Sequence, residues 1–239
     1  MKDNLIVAIH QPNFFPWLGY FNKIIRSDIF VFMDNVAFPQ TSSGCFINRV
    51  KVLIQGKAAW ITCPIVRIHG GEVIKDVRIY NDIAWREKIL KTLELNYKKC
   101  LFFNEIIEWL KPLLENKEEK LSVYNISNIR EICYKLGIKK QFILHSDLET
   151  QQKSTDLLIE ITKNVNGTAY LCGGGAPKYQ EDFKFSENGL ELIYQNFVHP
   201  IYEQKYSQEF VSGLSIIDCL MNLGIDGTKK LLSSSLGNR

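Results

Sequence analysis

The first 35 residues alternate between short apolar runs and polar breaks. An apolar run at 5–9 ends on His10, and a second run, IFVFMD, ends on Asp34. Between them, the stretch NFFPWLGYFNKII has apolar residues at helical spacing up to about Arg26. Strand, helix and strand in this order predict a βαβ unit, and therefore two parallel strands joined by a right-handed crossover.

The segment 46–80 has a different, β-rich pattern. Its apolar and β-branched runs are KVLI, AWITCPIV and VIKDVRIY, and the separators QGK and HGGE are typical of turns. We expect this region to extend the sheet with antiparallel strands.

Helical periodicity dominates the middle of the chain. Apolar residues recur at helical spacing over 85–97, 104–114 and 121–136, and Gly137 is a plausible C-cap for the last of these helices. The pattern therefore predicts a helical subdomain inserted at about 83–140.

Strands and helices alternate again in the last hundred residues. The order is a short strand, a helix, a strand that leads into a glycine-rich loop, a further strand, and a final helix with Ser212 or Ser215 as its N-cap. The predicted fold is α/β, with a mixed, mostly parallel sheet flanked by helices, in a single domain over 1–239.

Composition narrows the class of protein. The chain has 239 residues, of which 46% are hydrophobic and 12% aromatic, so it can bury a core and is not disordered. Its 29 basic and 26 acidic residues leave a net charge of +3, too small to predict binding to nucleic acid or to a membrane surface. The first apolar run is too short to span a membrane. We therefore expect a cytoplasmic protein with no nucleic-acid partner and no membrane insertion.

The cysteines and histidines do not predict a metal site. None of the six cysteines forms a CxxC pair, and His69, His145 and His199 lack partners at helical spacing. We expect reduced cysteines that are mostly buried as small apolar residues, and no metal ion.

The first candidate site follows the first strand. Ligands of open α/β sheets bind outside the carboxyl ends of the strands, where His10 is expected. A loop stiffened by two prolines then carries amides and aromatic rings. The alternative is that the rings belong to the core and that His10 only ends its strand. The expected ligand contacts beside His10 are Gln11, Asn13, Trp17 and Tyr20.

The second candidate site follows the second strand. If the two strands are neighbours, Asp34 opens into the same crevice as His10, where it can orient a histidine that acts as general base or bind a sugar hydroxyl directly. In the next loop, Asn48 precedes Arg49, whose guanidinium group suits a phosphate or a carboxylate. The alternatives are a turn-forming Asp-Asn pair and an ordinary surface arginine.

The third candidate site is the glycine-rich loop after Cys172. A strand that leads through glycines into a helix can present backbone N–H groups to an anion. The spacing matches neither the dinucleotide-binding nor the P-loop motif, and a plain flexible turn is the alternative. No residue nearby in the sequence supports Cys172 as a nucleophile. The candidate ligand contacts are Gly173, Gly174, Gly175, Lys178 and Tyr179.

A carboxylate also falls inside an apolar helix. In LSIIDCLMNLG, Asp218 is surrounded by apolar residues and must find a partner. We expect a structural salt bridge or a helix cap.

The chain resembles the WbqC-like protein family over nearly its whole length. The likeness rests on seven stretches, which read in order IHQPNFFPWLGYFNKI, SDIFVFMDNV, INRVK, WITCPI, YLCGGGAPKY, FVHPIYEQ and LSIIDCLMNLG. This chain departs from the family at Ala37, where a glutamine is common, and after Trp85, where a histidine is common. The signature positions are His10, Gln11, Pro12, Trp17, Gly19, Tyr20, Asp34, Asn48, Arg49, Pro64, Gly173, Tyr179, Gln204 and Asp218.

The resemblance implies a bacterial protein of O-antigen or other surface polysaccharide biosynthesis. We expect N-acyl or aminoacyl transfer to a nucleotide-linked amino sugar, with His10 as base, Asp34 as its orienting partner and the glycine-loop amides as oxyanion donors. The expected co-substrate is a thioester of CoA or of an acyl carrier protein, with no tightly bound cofactor. An acyl carrier protein and other enzymes of polysaccharide synthesis are the expected partners.

Two other functions stay open from the sequence. In the first, the segment after His10 loosely resembles the HxGH turn of nucleotidylyltransferases, with Tyr20 in place of the second histidine. In the second, the protein binds a sugar nucleotide without catalysis, or acts as an assembly partner in a polysaccharide enzyme complex.

Overall fold

The central sheet consists of five parallel strands. The computed structural model describes residues 4–39, 45–68, 70–174 and 180–236, and in these ranges the strand order of the sheet is β5-β2-β1-β6-β7. The strands of the molecule are β1 (Ile6–His10), β2 (Ile29–Phe32), β3 (Arg49–Ile54), β4 (Lys57–Thr62), β5 (Gln141–Leu144), β6 (Ala169–Cys172) and β7 (Glu191–Tyr194).

Helices flank this sheet, which confirms the predicted α/β class. Two short 3-10 helices, Ile74–Asp76 and His145–Asp147, complete the regular structure of the described residues. The α-helices are α1 (Leu18–Arg26), α2 (Trp85–Tyr97), α3 (Phe103–Glu115), α4 (Leu121–Lys135), α5 (Ser154–Asn164), α6 (Phe183–Glu187) and α7 (Ile216–Ser234). None of these helices has the length and apolar character needed to span a bilayer.

The predicted βαβ unit is confirmed. The strands β1 and β2 are parallel, with Val7 opposite Ile29 and His10 opposite Phe32. Every residue of β2 is buried, because helices cover both faces of a parallel sheet. The strands β6 and β7 come later in the chain and lie on the other side of β1, so the strand order reverses between β1 and β6. Such a reversal opens a crevice at the carboxyl ends of the two strands.

The prediction for 46–80 is wrong in two respects. The strands β3 and β4 form a separate antiparallel hairpin, because β5 already occupies the sheet position beside β2. The run VIKDVRIY contains a 3-10 helix in place of a strand. There, the N–H of Ile74 donates to the carbonyl of Val36, and that of Lys75 donates to the carbonyl of Asp34. These two N–H groups therefore donate to the segment that follows β2.

The three predicted middle helices are α2, α3 and α4. Their buried residues belong to the same hydrophobic cluster as Phe14, Phe15 and Phe32. Asn125 of α4 also donates hydrogen bonds to the carbonyl oxygens of Pro12 at 2.9 Å and Ile47 at 2.6 Å. The inserted helices thus support the loop that follows His10.

Two local predictions in the rest of the chain are confirmed. Ser215 is the N-cap of α7, and its side chain accepts a hydrogen bond from the N–H of Ile217. All six cysteines are buried, and none forms a disulfide.

Candidate functional site

A cavity of about 430 Å³ opens beside the carboxyl end of β1. Four of the residues selected from the sequence pattern lie in its wall, and the structure adds an aromatic ring and a glycine from distant segments. The wall consists of His10, Gln11, Asn13, Trp17, Phe46 and Gly213.

The imidazole of His10 is held in one orientation by its neighbours. Its Nδ1 lies 3.0 Å from the carbonyl oxygen of Gln11. Since a carbonyl oxygen can only accept, the hydrogen is on Nδ1, and Nε2 keeps its lone pair. The hydroxyl of Tyr20 donates to the same carbonyl at 3.0 Å, and its ring meets the imidazole edge-on at 4.7 Å. The ring is thus oriented with Nε2 as a hydrogen-bond acceptor.

His10 is neutral at physiological pH. Burial, together with the nearby charge of Lys23, lowers the pKa of His10 from 6.5 to about 3, although the hydrogen bond to Gln11 acts in the opposite direction. A neutral imidazole can accept a hydrogen bond or a proton from a ligand, whereas an imidazolium cannot.

Lys23 is a buried cation that the sequence analysis missed. Its side chain is only 3% exposed, and Nζ donates to the carbonyl oxygen of Ile9 at 2.8 Å. Burial lowers the pKa of Lys23 to about 8, and the Coulomb interaction with Cys172 acts in the opposite direction. No described carboxylate forms an ion pair with it. The sequence signal that could have found it is a lysine inside the apolar helical stretch GYFNKII.

Lys23 lies where the strand order reverses. It bonds to the end of β1 through Ile9, and its Nζ is 5.9 Å from the ring centre of Tyr170 in β6. Lys23 does not line the cavity, so its charge acts through space, where it favours a ligand or a transition state that carries negative charge.

Asp34 follows β2, the strand that pairs with β1, but its carboxylate is hydrogen-bonded to another segment and not to His10. It is 3% exposed, and its two carboxylate oxygens accept from the N–H of Ser146 at 2.9 Å and from its hydroxyl at 2.7 Å. His10 donates from Nδ1 to the Gln11 carbonyl and not to this carboxylate. The orienting role that we expected of Asp34 therefore falls to the backbone of Gln11.

Trp17 covers the first turn of α1 and requires a glycine there. A Cβ on Gly19 would lie 2.4 Å from the indole of Trp17, so no larger residue fits without moving the ring. On its other side, the indole contacts Phe197 at 5.3 Å and stacks on His199 at 6.3 Å between ring centres. Trp17 is thus a fixed wall of the cavity.

Tyr20 lies beneath the cavity. It is 1% exposed and is absent from the cavity wall. Its contacts to His10 and to the Gln11 carbonyl make it a positioning residue for the imidazole.

Asn48 and Arg49 stabilise the hairpin next to the cavity. Asn48 donates to the carbonyl of Cys63 at 3.1 Å, and Arg49 donates from Nε to the carbonyl of Cys45 at 3.2 Å. The guanidinium of Arg49 also stacks over Trp60 at 4.2 Å. Neither side chain lines the cavity beside His10.

The glycine loop is described only at its start. Gly173 and Gly174 follow β6, whereas Gly175, Lys178 and Tyr179 lie outside the described residues, as does His69. Cys172 is fully buried, and burial raises the pKa of its thiol. A protonated, buried thiol is a poor nucleophile.

Asp218 has neutral side-chain partners where a salt bridge or a helix cap was expected. Its carboxylate accepts from the hydroxyls of Tyr97 at 2.8 Å and Tyr202 at 2.6 Å, and from Nε2 of Gln204 at 3.1 Å. Burial raises the pKa of Asp218, and these hydrogen bonds lower it in part. The cluster joins α2, α7 and the segment that carries His199, which packs on Trp17.

Comparison with known proteins places the chain in a family. The chain is 29% identical to the Mycobacterium tuberculosis protein named "Uncharacterized protein Rv1507c" over 223 residues, which cover 92% of this chain and 94% of that protein. No solved structure gives a significant match. The model of one family, described as the WbqC-like protein family, matches residues 11–230. This chain therefore belongs to the WbqC-like protein family.

Proposed function

We propose that this protein transfers an acyl or aminoacyl group to the amine of a nucleotide-linked amino sugar in the synthesis of a surface polysaccharide. The observation that carries the proposal is a neutral, oriented imidazole in the wall of a cavity. The amides of Gln11 and Asn13 suit the hydroxyl groups of a sugar, and the indole of Trp17 suits the apolar face of its ring.

The proposed reaction uses a thioester of CoA or of an acyl carrier protein. The sugar nitrogen forms a bond to the thioester carbonyl carbon, and the C–S bond then breaks. The proton of the amine passes to Nε2 of His10 and from there to the departing thiolate. The buried charge of Lys23 favours the negative charge that develops on the carbonyl oxygen.

One observation favours a second candidate, a sugar-nucleotide binder without catalysis. A pKa of about 3 makes His10 a weak base but leaves it a good hydrogen-bond acceptor. The nucleotidylyltransferase hypothesis has no comparable support, because Tyr20 is buried under His10 and bonded to the backbone.

A binding screen followed by a turnover assay tests the proposal. The protein is first heated with UDP- and TDP-amino sugars, since a ligand that binds only the folded state raises the melting temperature. Those that bind are then incubated with acetyl-CoA and other acyl or aminoacyl thioesters, and the products are separated by HPLC.

The two candidate functions predict different behaviour for variants of His10. For an acyltransferase, His10→Ala lowers turnover about a hundredfold or more, and His10→Gln does not restore it. For a binder, the wild type gives no product with any donor, and His10→Gln keeps the melting shift. Full turnover in His10→Ala would exclude His10 as the base.

A further inference from the structure

A second cavity, of about 490 Å³, lies between β4 and α2. The proposed reaction makes no use of it. Two indoles form part of its wall, and two hydroxyls and an ammonium group border it. Its aromatic and polar lining residues are Trp60, Thr62, Trp85, Lys88 and Thr92, and the rest of the wall is aliphatic.

An aromatic pair connects this second cavity to the one beside His10. Phe46 lines the first cavity and Trp60 lines the second, and their ring centres are 5.5 Å apart. Trp60 is 37% exposed, so part of its indole is open to a ligand. A single elongated ligand can therefore contact both cavities across this pair.

Two basic side chains, here called the ridge, lie over the indole of Trp60. The guanidinium of Arg49 lies 4.2 Å from the ring centre of Trp60, and Nζ of Lys51 lies 5.2 Å from it. The hairpin register places these side chains on one face, since Lys51 is opposite Trp60 and Arg49 is opposite Thr62. Within the described residues, neither Lys51 nor Lys88 forms an ion pair with a carboxylate.

We infer that this second cavity binds the nucleoside diphosphate half of the sugar nucleotide. The base stacks on the indole of Trp60, and the diphosphate lies along the ridge of Arg49 and Lys51, with Lys88 at the far side. The sugar then reaches the cavity of His10. The ammonium groups of Lys51 and Lys88 can pair with phosphate oxygens, and the guanidinium of Arg49 adds positive charge while its Nε stays bonded to the Cys45 carbonyl. Stacking on an indole accepts any base.

The identity of the sugar half rests on the proposed function, but the binding of a nucleoside diphosphate does not. Isothermal titration with UDP measures that binding without any turnover. Trp60→Ala should weaken UDP binding about tenfold through lost stacking, and Trp60→Phe should stay within about threefold of the wild type.

Two exposed lysines of α2, one beside the cavity and one away from it, test the contribution of charge to UDP binding. Lys88→Ala should weaken UDP binding about fivefold, because its ammonium borders the cavity. Lys91→Ala removes an exposed lysine of α2 that does not line the cavity, and should bind UDP like the wild type. Both lysines are exposed, so neither variant should affect folding.

The inference is overturned if the wild type does not bind UDP at millimolar concentration. It is also overturned if Trp60→Ala and Lys88→Ala both bind UDP like the wild type. Failure of the proposed function looks different. In that case UDP binding shows the predicted pattern, but no amino sugar is acylated with any thioester donor.

Discussion

His10 ends β1, and Asp34 follows the end of the neighbouring strand β2, yet the two residues differ in what they can offer a ligand. His10 uses Nδ1 on the Gln11 carbonyl, borders a cavity, and has no described hydrogen-bond partner at Nε2. Asp34 is 3% exposed, and both of its oxygens accept from Ser146.

Position in the fold identifies the residues that could bind a ligand. Which of them can do so depends on whether their polar atoms already have hydrogen-bond partners within the protein. Both residues stand at the carboxyl edge of a parallel sheet, where ligands bind. A buried polar group whose partners are all within the protein stabilises the fold and has little left for a ligand. By this criterion we propose His10, and not Asp34, for ligand contact, because the carboxylate of Asp34 is bonded to the Ser146 segment beside β2.

The largest expected effect is the acid sensitivity that His10 confers. Its pKa is about 3 in the folded state and 6.5 when unfolded, so between these values only the unfolded chain takes up the proton. Stability is therefore lost as the pH falls below 6.5, by about 4 kcal/mol down to pH 3.5 from this group. Urea unfolding of the wild type and His10→Gln at each pH measures the difference. If the free energy of unfolding depends on pH in the same way in both proteins, His10 is not buried as a neutral imidazole.

The next largest effect is a change in stability at alkaline pH that depends on Lys23. Its folded pKa of about 8 lies below the unfolded value of 10.5, so between them the unfolded chain binds more protons. Stability relative to Lys23→Met should rise by about 3 kcal/mol from pH 8 to 10.5. The difference between the two proteins is the quantity to measure, because buried tyrosines and cysteines act in the opposite direction. A constant difference would contradict a desolvated ammonium.

A smaller effect is expected at Asp34, and it should fall on stability. Asp34→Ala leaves the N–H and hydroxyl of Ser146 without their partner, and should lower the free energy of unfolding by about 2 kcal/mol. Chemical denaturation gives this value, and turnover of the folded variant should fall far less than in His10→Ala. If Asp34→Ala lost as much turnover as His10→Ala while its stability was unchanged, Asp34 would have a catalytic role.

The smallest expected effect is that of Ser146→Ala. This variant removes one of the two hydrogen bonds to Asp34 and keeps the backbone donor, so we expect about 1 kcal/mol of destabilisation. Denaturation curves of the single and double variants complete a mutant cycle with Asp34→Ala. Additive losses would show that the pair does not interact in solution.

Much of the local structure was predictable because its causes are local. The period of apolar residues specifies α2, α3 and α4, and the apolar run before His10 specifies a buried strand. The link between His10 and the Gln11 carbonyl joins adjacent residues, and the rings of 14–20 follow directly in the chain. Selecting this segment as a candidate site therefore needed no knowledge of the packing.

The chain order of apolar and polar residues thus determined the α/β class, the βαβ start and the segment that lines the first cavity. Only the tertiary structure decided that the hairpin leaves the sheet, that Lys23 is buried without a carboxylate, and that Asp34 bonds to Ser146, 112 residues away. The physical reason is that apolar periodicity is read within one element, whereas burial of a charge and the partner of a polar group depend on which distant elements pack together.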